Sequence, residues 1–362
     1  MVVRDIAEMR FVTVVTLIVL SILAGCDHGL NKPVTTREVI YAGAWHILET
    51  PERFCIYVYG ADSLTLLDSL LVAGFPDQVV TSRDSRYLYV LQGASPPLIK
   101  LDAMTGSEVW AVEDAAYPLL LLDRGRMLVS GHTILDPETG ALLHNLPDSL
   151  EPGYGSELGT EVAAIVDNEG TILDTVVTVL DCATGATRGR FVPYAEDYQL
   201  NAVSYVRLHT DGERVFAIGT RFALEDSWVV IGNVKTGETL YYHSLTRPFG
   251  EVAISPNDSL AAVMDPPTML ALEGGGPALL LALQPSPHTL SVEYGGGQAR
   301  FTADGSRIIV GAAPGLPGAL ARVDVASLSL IDWVAFPGAD SLGLNGPFGA
   351  GMDLGMRECP KH

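Results

Sequence analysis

The feature of this sequence that most constrains its fold is a turn that returns about every 42 residues along the chain. Each copy places Asp, Asn, Gly or Pro just ahead of a run of β-branched, aliphatic and aromatic residues, as a β-hairpin requires. The copies of this first turn family are TPERFCIYV (50–58), SRDSRYLYV (82–90), DRGRMLVSG (123–131), SELGTEVAAI (156–165), TDGERVFAIG (210–219), SPNDSLAAVM (255–264) and TADGSRIIVG (302–311).

A second turn family follows the first by about 20 residues in matched repeats. In it an Asp or Asn can cap its own turn, and a Gly takes the positive-φ position before the next strand. Its copies are LDAMTG (101–106), DPETG (136–140), DCATG (181–185), NVKTG (233–237) and, in weakened form, DVASL (324–328). Repeats 1 and 6 have LTLLDSLL (64–71) and MLALEGGGPALLLAL (269–283) at this place. We interpret these stretches as structural turns.

A repeat of about 42 residues with four short strands is typical of a β-propeller blade. The β-rich, turn-bounded runs argue against a helical repeat of similar length. We therefore predict an all-β, seven-bladed β-propeller over residues 40–362, with four antiparallel strands in each blade. Eight blades are the alternative, because the stretch between DCATG and NVKTG is long.

The C-terminal tail is predicted to close the ring. PFGAGMD (347–353) echoes PFGEVAI (248–254), which opens repeat 6, and FPDQVV (75–80), which opens repeat 2. The tail would then supply the inner strand of the first blade.

The repeats resemble those of the YVTN-type and quinoprotein-like (PQQ-repeat) β-propellers. RYLYVLQGASPPLIKLDAMTGSEVW (86–110) is the most similar copy, followed by residues 304–334, and the resemblance extends over about residues 40–338. It implies the propeller fold. In the quinone-binding members, a Trp after the Thr-Gly turn recurs from blade to blade, whereas here only Trp110 has this position. No cofactor is therefore expected.

The N-terminus has the pattern of an export signal. Arg4 and Arg10 precede the apolar run FVTVVTLIVLSILA (11–24), which is shorter than a membrane-spanning helix needs. LAGC (23–26) resembles the lipobox of bacterial lipoproteins, which implies that Cys26 is the lipidated residue; an ordinary cleaved signal is the alternative. We predict a signal peptide over residues 1–25 and a polar linker over residues 26–39. The expected location is the bacterial cell envelope, lipid-anchored and facing the periplasm or the exterior, with the choice of membrane open.

Composition limits the classes of partner. A formal net charge of −21 argues against nucleic acid, because binding phosphates requires clustered Lys and Arg. With 48% hydrophobic and 18% charged residues, a large core is expected. Once Cys26 is lipidated, three cysteines remain. They allow a disulfide between Cys55 and Cys359, with buried unpaired thiols as the alternative.

The sequence has no P-loop, no Gly-x-Ser-x-Gly, no His-Glu-x-x-His and no Cys-x-x-Cys motif. Its histidines are scattered singly, and we predict no catalytic residue and no metal site. His46 and His209 lie near predicted inner strands, and Arg83 and Asp258 occupy matching turns, so these four are candidates for a site at the mouth of the channel. The tryptophans predicted to pack between blades are Trp45, Trp228 and Trp333.

These features favour a monomeric, non-catalytic binding or scaffold module for protein or glycan partners. The alternative is a periplasmic enzyme or enzyme subunit, either a lactonase-like hydrolase or the non-cofactor chain of a quinoprotein-type dehydrogenase. Converging His and carboxylate side chains at the channel mouth would favour the enzyme. A flat apolar or aromatic patch on one face of the disc would favour the scaffold.

Overall fold

The computed structural model describes residues 34–46, 53–148, 150–155, 159–166, 175–196, 198–200, 202–221, 226–245, 251–263, 278–282, 288–292, 298–311, 319–337 and 348–360. Its contacts divide the chain into one unit of residues 38–355 and another of residues 1–37 with 356–362. The described part of the second unit consists of residues 34–37 and 356–360, which belong to the first and the last strand. In the described part of the chain, no helix has the length and apolar character needed to cross a membrane.

The described residues form thirty β-strands. The first fifteen are β1 (Val34–His46), β2 (Arg53–Gly60), β3 (Leu66–Val72), β4 (Gln78–Thr81), β5 (Tyr87–Leu91), β6 (Leu98–Asp102), β7 (Glu108–Val112), β8 (Leu119–Leu122), β9 (Met127–Ser130), β10 (Thr133–Leu135), β11 (Leu142–Asn145), β12 (Leu150–Gly155), β13 (Glu161–Val166), β14 (Val176–Asp181) and β15 (Ala186–Phe191). The others are β16 (Tyr194–Ala195), β17 (Tyr198–Gln199), β18 (Ala202–Leu208), β19 (Arg214–Arg221), β20 (Asp226–Asn233), β21 (Thr239–Leu245), β22 (Val252–Ile254), β23 (Leu260–Val263), β24 (Ala278–Ala282), β25 (His288–Val292), β26 (Gln298–Phe301), β27 (Arg307–Gly311), β28 (Ala319–Asp324), β29 (Ser329–Ala335) and β30 (Phe348–Pro360).

Apart from β16 and β17, which form a two-stranded sheet of their own, these strands form successive four-stranded sheets, which confirms the all-β prediction. We number them sheet 1 (β30-β1-β2-β3), sheet 2 (β4–β7), sheet 3 (β8–β11), sheet 4 (β12–β15), sheet 5 (β18–β21), sheet 6 (β22–β25) and sheet 7 (β26–β29). One parallel bridge between Tyr154 and Arg207 joins sheets 4 and 5 into eight hydrogen-bonded strands. The number of blades depends on counting these two as separate, so seven blades remain a prediction.

Each sheet shares a hydrophobic core with the next one. Separate clusters join sheets 1 and 2, 2 and 3, 4 and 5, and 6 and 7, and one larger cluster extends over sheets 3 to 6. A further cluster packs Ile309 and Leu320 of sheet 7 against Ile40 and Tyr57 of sheet 1. The series of shared cores therefore returns to its start. Middle strands such as β9 are buried throughout, because neighbouring sheets cover both faces, whereas the outermost strand β21 alternates between exposed and half-buried residues.

The two turn families have fixed places in the sheets. From sheet 2 onward, the first family joins the first strand to the second. The second family joins the third strand to the fourth in each sheet where the sequence shows a copy. In an antiparallel meander, both connections lie at the same end of the sheet. We call this the turn end and the other the connection end.

Sheet 1 departs from the predicted register. The tail strand β30 lies beside β1 at the edge of this sheet, so β1 is the second strand and not the first. The amide of Ala61 donates to Glu38 O, as the amide of Ala103 donates to Arg86 O in sheet 2. TPERFCIYV therefore belongs to the connection between the second and third strands, and its assignment to the first turn family is wrong. The reason is that two distant parts of the chain build this sheet.

The true second-family turn of sheet 1 is the β2–β3 connection. Its amide of Leu64 donates to Gly60 O at 2.9 Å, as that of Gly106 donates to Asp102 O at 2.8 Å. Leu64 adopts φ +49° and Leu328 φ +56° in the equivalent turns of sheets 1 and 7, where the other copies have Gly. Leucine in place of glycine explains why the sequence shows only a weakened copy, DVASL (324–328), in sheet 7 and no clean copy in sheet 1.

The predicted end of the linker also changes. β1 begins at Val34, so residues 34–39 are strand and not the end of the linker. The β-branched Val34, Thr35 and Thr36 favour this extended conformation. The long stretch between DCATG and NVKTG contains the additional hairpin of β16 and β17, which accounts for part of its length.

Candidate functional site

The sequence-predicted site residues lie in separate turns. Arg83 is exposed in the β4–β5 turn, His209 is buried in the β18–β19 turn, and Asp258 is half-buried in the β22–β23 turn. All three belong to the turn end of sheets 2, 5 and 6. His46 ends β1 and pairs with Arg53 across the β1–β2 connection, which is at the connection end. The structure therefore does not bring His46 to the other three, and its side chain lies outside the described residues.

His209 takes part in the hydrogen bonding of its own turn. Its ring is 1% exposed, and its Nδ1 lies 3.2 Å from Asp211 Oδ2, which also accepts from Arg214 Nε at 2.5 Å. Burial would raise the pKa of Asp211, but its hydrogen bonds with His209 and with the Arg214 and Glu213 amides outweigh burial and lower that pKa. These contacts assign His209 to turn structure.

Asp258 also has a structural position. It adopts φ +57°, and its amide donates to Ser255 O at 2.9 Å. Gly212 and Gly305 make the same hydrogen bond in the equivalent turns of sheets 5 and 7, both with φ +69°. The backbone at this position favours glycine, and Asp is one of the few other residues that tolerate it.

A different set of side chains does converge. All come from the first strand of a sheet or from the residues directly before it. We call this set the inner cluster, and it consists of Tyr117, Tyr154, Tyr205, Arg207, Glu251, Arg300 and Asp353.

The ion pairs of the inner cluster link sheets 6, 7 and 1. Arg300 Nη1 lies 2.6 Å from Glu251 Oε1, and Arg300 Nε lies 3.5 Å from Asp353 Oδ1. Burial alone would lower the pKa of Arg300, but the two carboxylates outweigh it and raise that pKa above its usual value. Asp353 Oδ2 also accepts from the Thr81 amide at 2.6 Å, so the tail strand is tied to sheet 2 as well.

Three tyrosines form the aromatic side of the inner cluster. The rings of Tyr154 and Tyr205 stack with centroids 5.0 Å apart, and the hydroxyl of Tyr117 hydrogen-bonds to that of Tyr154. Burial, followed by the nearby charge of Glu251, raises the pKa of Tyr154 well above its usual value. These phenols therefore stay neutral and act as hydrogen-bonding groups.

Arg207 is the second cation of the inner cluster. Its Nη1 donates to Val252 O at 2.9 Å, and its guanidinium carbon lies 6.0 Å from the centroid of the Tyr154 ring. Its buried Nε has no hydrogen-bond partner among the described residues. Within that part of the chain, no carboxylate forms an ion pair with Arg207.

Tyr117 also connects the inner cluster to a pocket of about 480 Å³. The wall of this pocket consists of Asp77, Gln92 and Tyr117 together with Leu91, Pro97, Ala115 and Ala116. These residues precede β4, end β5, precede β6 and precede β8, which places the pocket between sheets 2 and 3 at the connection end. We call it the Asp77 pocket.

The polar groups of the Asp77 pocket differ in how they are used. Gln92 is 3% exposed; its Oε1 accepts from the Gly74 amide at 3.3 Å, and its Nε2 donates to Pro96 O at 2.9 Å. Tyr117 is 61% exposed and lines the pocket. Asp77 is exposed, and partial burial of its carboxylate raises the pKa of that group. No described residue hydrogen-bonds to this carboxylate or forms an ion pair with it.

Other predictions have mixed outcomes. Trp228 is 8% exposed in the core between sheets 4 and 5, as predicted, whereas Trp333 is 44% exposed on the outermost strand β29, so its prediction is wrong. Cys182 is a buried free thiol, and burial raises its pKa to about 12. Cys26 and the side chains of Trp45 and Cys359 lie outside the described residues, so lipidation and the Cys55–Cys359 disulfide remain predictions.

The described residues show no group of three or more His, Cys, Asp or Glu side chains that could hold a metal ion. Among the described residues, large exposed apolar side chains are concentrated on the outermost strands of the sheets. Those on the outermost strands are Leu66, Leu71, Val109, Leu142, Leu143, Leu240, Tyr242, Ile331 and Trp333.

Reasoning from the sequence missed the inner cluster because its members are far apart and form no motif. One signal was available. Arg207 and Arg300 each lie one residue before the end of the first strand of their sheets, and the repeats around them align. Polar residues at one aligned position of otherwise apolar inner strands indicate groups that meet at the centre of a ring.

The fold, the ring of shared cores and this central cluster define the protein as a β-propeller. No family model matches the sequence, and no curated protein matches it. Among solved structures, the chain is similar to the β-propeller domain of Cps50 (Swd1) from Myceliophteria thermophila, with a TM-score of 0.57 and 12% identity. The match covers 75% of this chain and 90% of that domain, and at this identity it shows the fold alone.

Proposed function

We propose that this protein is a lipid-anchored, non-catalytic β-propeller of the bacterial cell envelope that binds a protein or glycan partner through its connection end. The observation that carries the proposal is that the open Asp77 pocket adjoins the inner cluster of polar and aromatic side chains through Tyr117. Propellers commonly serve as interaction scaffolds, because rigid sheets present connections of variable sequence at little entropic cost.

The turn end has a different role. Its connections repeat from sheet to sheet, and its polar side chains serve the turns themselves. In the β6–β7 turn, for example, Asp102 Oδ1 accepts from the Met104 and Thr105 amides at 3.0 and 2.9 Å. Where the structure describes the connection end, as in the β5–β6 and β7–β8 connections, no such capping is repeated, so the sequence there is available for recognition.

The lipid anchor rests on LAGC and Cys26. Two or more acyl chains on one residue hold a protein stably at a membrane, which would keep the propeller near envelope partners. We expect Cys26→Ser to abolish incorporation of labelled palmitate and partition into detergent. Retention of both would contradict lipidation at this residue.

Photo-crosslinking tests the binding face directly. A photoreactive phenylalanine analogue replaces Ala116, which is exposed in the Asp77 pocket, or Met104, which is 48% exposed at the turn end. We expect crosslinks to one envelope partner from position 116 and none from position 104. Crosslinks from position 104 alone would contradict the proposed face. Bound metal or quinone in the same purified sample would favour an enzyme.

A further inference from the structure

We infer that the Asp77 pocket receives a basic side chain, lysine or arginine, from a protein partner. This inference rests on the proposed binding function and gives that function a ligand chemistry. It commits to a protein, since the pocket presents a carboxylate, an aromatic ring and apolar walls to a single inserted side chain.

The first argument is the state of the Asp77 carboxylate. No described residue hydrogen-bonds to it or lies at ion-pair distance, whereas the polar atoms of neighbouring Gln92 are satisfied by the Gly74 amide and Pro96 O. Asp77 is an exposed residue, so its carboxylate is open to a cation from outside the chain. The pocket wall buries the carboxylate in part, which raises its pKa. A bound ammonium or guanidinium would supply the missing partner.

The second argument is the shape of the pocket. Its volume of about 480 Å³ exceeds that of one long side chain, and Leu91, Pro97 and Ala115 offer apolar contact for methylene groups. Tyr117 adds a ring on which a cation can sit. Lysine and arginine combine an apolar stem with a charged end, which matches this division of the wall.

The third argument is charge complementarity. The wall-forming segments FPDQ (75–78), LQGASPP (91–97) and EDAAYP (113–118) contain three carboxylates and no Lys or Arg. Arg300 acts on Tyr117 from the inner cluster, but Glu251 and Asp353 already pair with it. A formal net charge of −21 adds a long-range attraction for a basic partner.

The experiment measures binding of short peptides to the full chain by ligand-observed saturation-transfer NMR. The probes are acetylated and amidated Ala-Ala-X-Ala-Ala peptides, in which X is lysine, arginine, norleucine or glutamate. We expect the lysine and arginine peptides to bind and the norleucine and glutamate peptides to bind at least tenfold more weakly. Equal binding of the lysine and norleucine peptides would overturn the inference.

Variants localise the effect. We expect Asp77→Asn to weaken binding of the lysine peptide about fivefold and Tyr117→Ala to weaken it about threefold. With Tyr117→Phe, which keeps the ring, binding should stay within about twofold of that to the parent protein. Asp148→Asn is the matched control, because it removes an equal charge from an exposed residue at the connection end, outside the pocket wall. If Asp77→Asn and Asp148→Asn behave alike, the attraction is general and the inference fails.

The two proposals fail in different ways. Crosslinking of a partner at position 116 that persists in Asp77→Asn and Tyr117→Ala would refute the basic-side-chain inference and leave the binding function standing. Specific binding of the lysine peptide without any envelope partner at position 116 would refute the binding function and leave the pocket chemistry standing. Unchanged thermal unfolding of each variant shows that the fold is intact.

Discussion

Lys100 offers a direct test of how neighbouring sheets are held together. It lies on β6 with a relative exposure of 0%, and its Nζ donates to Pro137 O at 2.9 Å and to Glu138 Oε2 at 3.1 Å in the adjacent sheet. The same Nζ lies 4.0 Å from the centroid of the Tyr87 ring. Tyr89 also donates to Pro137 O, at 3.2 Å. One buried ammonium therefore links sheet 2 to the second-family turn of sheet 3.

The expected cost follows from these contacts. A charged hydrogen bond contributes about 1.5–3 kcal/mol and the cation–π contact about 1 kcal/mol, and desolvation of the ammonium offsets part of both. Lys100→Met keeps an apolar side chain in the buried space, and Pro137 O still accepts a hydrogen bond from Tyr89. We therefore expect Lys100→Met to lower the free energy of unfolding by about 1–2 kcal/mol. Lys100→Ala also loses about three buried methylenes, which raises the expected cost to about 3–5 kcal/mol.

Equilibrium urea unfolding of the purified chain, followed by tryptophan fluorescence, measures both costs. Glu138→Gln is the control, since the Glu138 side chain is 74% exposed and its ion pair contributes less than about 1 kcal/mol. A Lys100→Met variant as stable as the parent would refute the reasoning, because the buried ammonium would then contribute nothing net. A Glu138→Gln cost equal to that of Lys100→Met would assign the effect to the ion pair instead.

Three further outcomes are expected. Asp258→Gly should stabilise the protein by about 0.5–1 kcal/mol, because it relieves a left-handed backbone, and a loss of stability would show that the carboxylate is needed. Gly140→Ala should cost more than Gly237→Ala in the same assay: both have positive φ, but a Cβ at position 140 would lie 3.1 Å from a tryptophan ring, while one at 237 meets nothing within 4 Å. Hydrogen bonds from Thr302 and Ser306 lower the pKa of Asp304 to about 2, so its contribution is present above pH 4 and is lost as pH falls toward 2. Replacement by Asn should therefore reduce stability at pH 5 and have little effect at pH 2, as measured by the urea midpoint.

The sequence was most informative where local chemistry repeats. An Asp followed by Thr-Gly specifies a turn through side-chain hydrogen bonds and a positive φ, and both act within a few residues. Gly106, Gly140, Gly185 and Gly237 all adopt positive φ as that chemistry requires. The same reasoning gave no clean copy of the turn at Leu64, because nothing in the sequence identifies a leucine that adopts a positive φ.

The register of sheet 1 shows a second limit. The prediction that the tail supplies the inner strand of the first blade agrees with the position of β30 beside β1. TPERFCIYV (50–58), however, was assigned to the connection between the first and second strands and belongs to the connection between the second and third. A turn motif identifies a connection between two strands, but it does not tell which two strands of the sheet these are. The answer depends on which distant strand fills the edge.

The sequence by itself determined the all-β class, the regular spacing of the turns and the net negative charge, since each depends on neighbouring residues or on composition. Only the tertiary structure decided which polar residues meet. Glu251, Arg300 and Asp353 are separated by up to about a hundred residues, and closure of the sheets into a ring places them in contact. Likewise, Asp77 and Tyr117 come from different sheets, and packing of those sheets makes them one pocket. Contacts of this kind arise from long-range packing, and no local pattern encodes them.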